Sequence, residues 1–203
     1  VSLVHHGARQ GNPSYAPSRN LYAVTDCWTR GEPDLILSMP EPYWVPDDLL
    51  DETKYFPAQL TEEQLPKDRW IKAVEFRPGS SAVHHIIARP FGGIAPGNVP
   101  NVYPDGYAEL VQAGQSYIWN MHYHKEPGPG TGMWDQSSLA VKFYPEGYVP
   151  DHVYTTVSCG PMDFVIPPGA KDYSASKSFV FPKDALIARM MPHMHLRVTK
   201  VFY

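Results

Sequence analysis

Tyr117-Ile118-Trp119-Asn120-Met121-His122-Tyr123-His124 decides the fold. In a strand, successive side chains point to opposite faces. Read with that period, Tyr117, Trp119, Met121 and Tyr123 share one face, and Ile118, Asn120, His122 and His124 share the other. The aromatic face belongs in a core. The histidine face either meets solvent or lines a cleft. Eight residues that alternate in this way, Ile118 apart, specify a half-buried strand.

Working outward, the same reading predicts strands over 70–76 and 82–89, separated by Pro78-Gly79, and a short one over 108–111. Residues 90–104, with Gly92-Gly93, Pro96-Gly97 and Pro100, read as a long ordered loop. A turn-rich loop over 125–132 follows the opening strand. Further short strands are expected over 139–144, 153–157, 164–166, 176–181 and 185–191, punctuated by Pro145, Pro150, Pro167-Pro168-Gly169 and Pro182. On the N-terminal side, 34–38 is a strand candidate. Residues 47–68 are acidic and broken by Pro57 and Pro66, with at most one helical turn over 61–64. Residues 1–30 show little periodicity and read as a linker or tail. Many short strands at this spacing predict an all-β, jelly-roll-like antiparallel β-sandwich.

The bulk composition agrees. The 22 prolines and 15 glycines, with abundant aromatic and β-branched residues, favour strands and elaborate loops over helices. Seventeen basic residues against 21 acidic ones leave a net charge of −4, which argues against a nucleic-acid partner. No apolar run is long enough for a transmembrane helix. Cys27 and Cys159 sit in no CxxC pattern; they are either one disulfide of an exported protein or two separate buried thiols. GxSxG, HExxH, GxGxxG and P-loop patterns are all missing, and no nucleophile–base arrangement is legible, so no catalytic residue is assigned.

What stands out is histidine. Eight of the nine fall in close pairs: His5/His6, His84/His85, His122/His124 and His193/His195; only His152 is alone. His122/His124 and His193/His195 have the spacing that puts both rings on one face of a strand, a natural chelate. His84/His85 are adjacent, so one ion can use both only where the strand is bulged or twisted. Otherwise one is buried and hydrogen-bonded and the other exposed. Met190, Met191 and Met194 flank the last pair. Thioether with imidazole is a copper preference, although core packing is the simpler role for Met194, which points away from the histidines.

Three motifs, Ala82-Val83-His84-His85-Ile86-Ile87, Trp119-Asn120-Met121-His122-Tyr123 and Met191-Pro192-His193-Met194-His195-Leu196-Arg197, resemble in order those of the copper type II, ascorbate-dependent monooxygenases. These are the peptidylglycine α-hydroxylating and dopamine β-monooxygenase group. Arg30-Gly31-Glu32-Pro33-Asp34-Leu35, Leu37-Ser38-Met39-Pro40 and Val165-Ile166-Pro167-Pro168-Gly169-Ala170 look like the bacterial multidomain members, in which the module follows a c-type cytochrome-like segment. The resemblance implies two sandwich domains with one copper each. It would make His84, His85 and His122 the ligands of the first, electron-transferring copper, and His193 and His195 two ligands of the second. Asn120, Tyr123 and Arg197 would be groups supporting those ligands. It implies C–H hydroxylation with dioxygen and an external electron donor (ascorbate-like or a cytochrome c), in the periplasm or outside the cell.

The expected organisation is a tail over 1–30 after an upstream domain, a copper-monooxygenase-like sandwich over 31–183, and the first strands of a second, unfinished sandwich over 184–203. A competing expectation is a non-catalytic metal-binding or structural β-domain of a larger redox assembly, contacting its other subunits. A cupin-type zinc or iron site is a third; it lacks a carboxylate at the usual neighbouring position.

Overall fold

A computed structural model of the chain describes residues 28–95, 100–160, 164–190 and 199–202. In chain order the strands are β1 (Leu35–Ser38), β2 (Tyr43–Val45), β3 (Asp51–Gln59), β4 (Arg69–Arg77), β5 (Val83–Ala88), β6 (Gly93–Ile94), β7 (Asn101–Val102), β8 (Tyr107–Val111), β9 (Ser116–His124), β10 (Met133–Asp135), β11 (Ser138–Phe143) and β12 (His152–Val153). The described residues contain no helix, and the architecture is an all-β sandwich. None of it is a helix long and apolar enough to cross a membrane.

One sheet runs β1-β11-β4-β8-β12, with β7 also on β4; the other runs β3-β9-β5-β6; β10 and β2 make a ribbon. All pairings are antiparallel except β12 on β8. The predicted aromatic face of β9 is the core: Tyr117, Trp119, Met121 and Tyr123 are all buried. Opposite them the first sheet contributes Leu37, Ile71, Val74, Phe76, Leu139 and Val141. The Phe76 ring meets Trp119 edge-on across the two sheets, with centroids 6.5 Å apart.

β4 and β5 form where alternation predicts them. The Pro78-Gly79 turn between them requires glycine, because a Cβ on Gly79 would lie 2.6 Å from the backbone of Gln136. The acidic stretch read as irregular is instead β3, a nine-residue strand paired along its length with β9. Two features hide it. Its inward-facing residues include Glu52 and Lys54, which pair at 2.8 Å, and the Tyr43 hydroxyl donates to Glu52 at 2.5 Å. It also contains Pro57, which β3 tolerates as an edge strand. The expected single turn after it does form: Thr61 and Gln64 cap one another, and the Leu65 N–H bonds the Thr61 carbonyl. Within the expected loop over 90–104, β6 and β7 are short pairings.

These strands lie in one compact unit, Asn20–Thr156, whereas the sequence extends the first sandwich to 183. The residues from Val157 on belong to a second unit. Its described residues contain no strand, and all of them except Gly160 are exposed. The strands expected over 164–166, 176–181 and 185–190 therefore do not form there. Among the described residues, their apolar side chains, such as Val165 and Val180, find no buried face, and their backbone groups have no ladder partner. Cys159 is exposed with a free thiol, which rules out a buried thiol at that position. Cys27, His5, His6 and the expected chelate at His193 and His195 lie outside the described residues.

Candidate metal centre

The site begins as a mismatch between two strands. Val83 pairs with Tyr123, but His85 pairs with His122, so two steps along β5 oppose one along β9. His84 is the extra residue of a β-bulge. Val83 and Ile86 on either side are buried, while His84 is exposed and His85 half-buried. Of the two alternatives for the adjacent pair, the bulge is the one that forms, and it turns both rings outward.

Beside them on β9 stands His122. Ring nitrogens of His84, His85 and His122 lie within 4.8 Å of one another. The Nδ1 atoms of His84 and His85 are 3.4 Å apart, and those of His85 and His122 are 3.3 Å apart. Two imidazoles bound at about 2.0–2.1 Å to a tetrahedral cation have nitrogens about 3.3 Å apart. The same distances are long for hydrogen bonds, which cluster at about 2.9–3.0 Å. Two of the three edges of the cluster thus have the length of a ligand set, and the three rings together can hold a metal ion. Both strands that carry it are paired on each side within their sheet, so the ligands sit on a stiff support. His84 leaves the site open towards solvent, as a site with an exchangeable position requires.

The outer face of β9 continues with His124, which does not join the cluster. Its ring centroid is 6.2 Å from that of His84. Instead His122 Nε2 and His124 Nδ1 lie 3.0 and 3.2 Å from one carboxylate oxygen, Oδ2 of Asp51. The hydrogen bond from His122, then that from His124, holds the Asp51 carboxyl below the usual carboxylate range. Asp51 is the residue that sequence reasoning missed. It opens β3 directly opposite His124, a register that no feature of the local sequence reveals.

Asn120 shares the outer face with His122, and its Oδ1 is buried without a hydrogen-bond partner among the described residues. Tyr123 does not support the ligands. It points into the core, where its hydroxyl donates to Oδ2 of Asp135 at 2.9 Å; Ser137 donates to the same carboxylate at 3.1 Å. Burial pushes the Asp135 carboxyl up, against the pull of those two hydrogen bonds. Arg197 lies outside the described residues. Tyr123→Phe is therefore expected to cost about 1–3 kcal/mol in urea unfolding, because it strips a donor from a buried carboxyl. Metal affinity in the same variant should stay within about twofold, since no ligand or ligand-supporting contact is touched.

No family model, curated protein or solved structure matches the chain.

Proposed function

We propose that this chain carries a copper centre of the monooxygenase type, in which His84, His85 and His122 hold one ion used for electron transfer. The observation that carries the reading is the convergence of three imidazole rings on a bulged strand and its neighbour, with nitrogens within 4.8 Å of one another and two of the pairs at ligand-edge spacing. Imidazole suits both oxidation states of copper. Copper bound there would take up and release single electrons. The chain's own contribution is to hold three donors rigidly and leave the His84 side accessible to a small reductant or a cytochrome-like partner. The overall reaction in this reading is C–H hydroxylation with dioxygen, outside the cytoplasm, with His193 and His195 belonging to a second centre.

Imidazole also suits zinc, so the test must separate the two metals. The full chain is titrated with cupric ion and with zinc, and the copper-loaded protein is examined by electron paramagnetic resonance. The reading expects an axial cupric spectrum with coupling to several nitrogens, and loss of that signal when ascorbate is added. Absence of copper binding, or copper that zinc displaces at equal concentration, would overturn it. A second reading is a non-catalytic redox module, for which the one histidine cluster among the described residues would suffice. Oxygen uptake with ascorbate distinguishes the two: uptake above free copper supports the oxygenase, and reduction without uptake supports the module.

A further inference from the structure

We infer that Asp51 is the positioning residue of the metal centre: its Oδ2 takes the Nε2–H of His122, so that the Nδ1 lone pair faces His84 and His85, while His124 holds the carboxylate in place. The inference rests on the metal-site reading above and adds the groups that set its geometry.

An imidazole has two nitrogens at different corners of the ring, and in the neutral form one carries hydrogen and the other a lone pair. Only the lone-pair nitrogen can bind a cation. Which one it is depends on the partner of the other. For His122 the partner is a carboxylate oxygen 3.0 Å from Nε2. An ionised carboxylate has no hydrogen to donate, so Nε2 must be the donor. Nδ1 is then the lone-pair nitrogen, and it is Nδ1 that lies 3.3 Å from Nδ1 of His85. The ring is thus set in the one tautomer that serves the cluster.

Asp51 is not itself a candidate ligand. It sits at the Nε2 end of His122, outside the group of atoms that lie within 4.8 Å of one another. Its side chain is 57% exposed, and a single hydrogen bond would leave such a group free to rotate. The second donor, His124 Nδ1, reaches the same oxygen at 3.2 Å and restricts it. That gives His124 a role without bringing it to the metal. Strand register supplies the arrangement: Asp51 faces His124 and Thr53 faces His122, so Asp51 reaches His122 along the diagonal of the β3–β9 pair. Exposed ion pairs add little to stability, so the consequence of this one falls on ring orientation.

The test uses the full chain, with the imidazole nitrogens labelled, in the metal-free and copper-titrated states. Long-range proton–nitrogen spectra of the metal-free protein should show His122 with hydrogen on Nε2. In Asp51→Ala that preference should be lost, with a mixture of tautomers and an unchanged thermal midpoint. Copper affinity should fall by about 10–100-fold in Asp51→Ala and Asp51→Asn, recover in part in Asp51→Glu, and fall less in His124→Ala. A metal-free wild type with hydrogen on Nδ1 of His122, or an Asp51→Ala affinity within about twofold of wild type, would overturn the inference. Should the wild type bind no copper, the copper reading fails, but the tautomer of His122 in the metal-free protein still decides the role of Asp51.

Discussion

His122→Ala is expected to lower copper affinity by more than about 100-fold, beyond the 10–100-fold that loss of a ligand-supporting partner costs. His122 is the ring that joins the two strands of the site. Its centroid is 4.8 Å from that of His84 and 4.7 Å from that of His85. Without it the remaining donors come from the bulge alone, and His124 is held by Asp51 rather than by the cluster. The fold should survive, because the His122 side chain lies on the outer face of β9 and is only half-buried. Calorimetric titration reads the affinity, and circular dichroism of the metal-free variant checks the fold. His152→Ala is the control: that lone histidine packs against Tyr107, ring centroids 4.7 Å apart, away from the cluster, and its loss should leave affinity unchanged. An undiminished affinity in His122→Ala would assign the copper to other residues.

Trp119→Ala is expected to destabilise the protein by about 3–5 kcal/mol, the cost of emptying a large aromatic site in a packed core. Trp119 has no exposed surface and is among the largest fully buried side chains. It touches Phe76 of the facing sheet, and its ring centroid lies 6.4 Å from that of Tyr117 on its own strand. The cavity lies between two hydrogen-bonded sheets, which cannot close over it without breaking ladder pairs. A fall in thermal midpoint of more than about 10 °C follows from that cost in a domain of this size. Urea unfolding gives the free energy directly, and a loss below about 1 kcal/mol would show that the two sheets do not share this core. Paired with the first variant, the result separates the faces of one strand: the outer face carries His122 of the candidate site, and the inner face carries the core.

Legibility followed the pattern of side chains along each strand. β9 was plain in the sequence because its buried positions are apolar and regularly spaced, and β4 because it is rich in apolar and aromatic residues between turn signals. β3 was not, because Glu52 and Lys54 occupy inward positions and satisfy each other and Tyr43. The strands expected over 164–166 and 176–181 had the right residues but have no pairing partner among the described residues. Beta propensity records fitness for a pleated, half-buried surface, and it cannot supply the neighbouring strand. Tyr123, which the resemblance makes a supporting group, sits on the core face instead, because period two sends the neighbours of His122 to the opposite side of the strand.

From the sequence alone followed the all-β class, the core face of β9, and the presence of histidines in pairs suited to a metal. Alternation and composition are local, so each strand states them for itself. The resemblance already named His122 with that pair; only the tertiary structure decided that His84 and His85 both face outward beside it, and that Asp51 stands behind it. A bulge is a mismatch between two strands, and a register relates residues such as Asp51 and His122 that lie 71 positions apart. Neither exists until the strands pair, and so neither is written in any one of them.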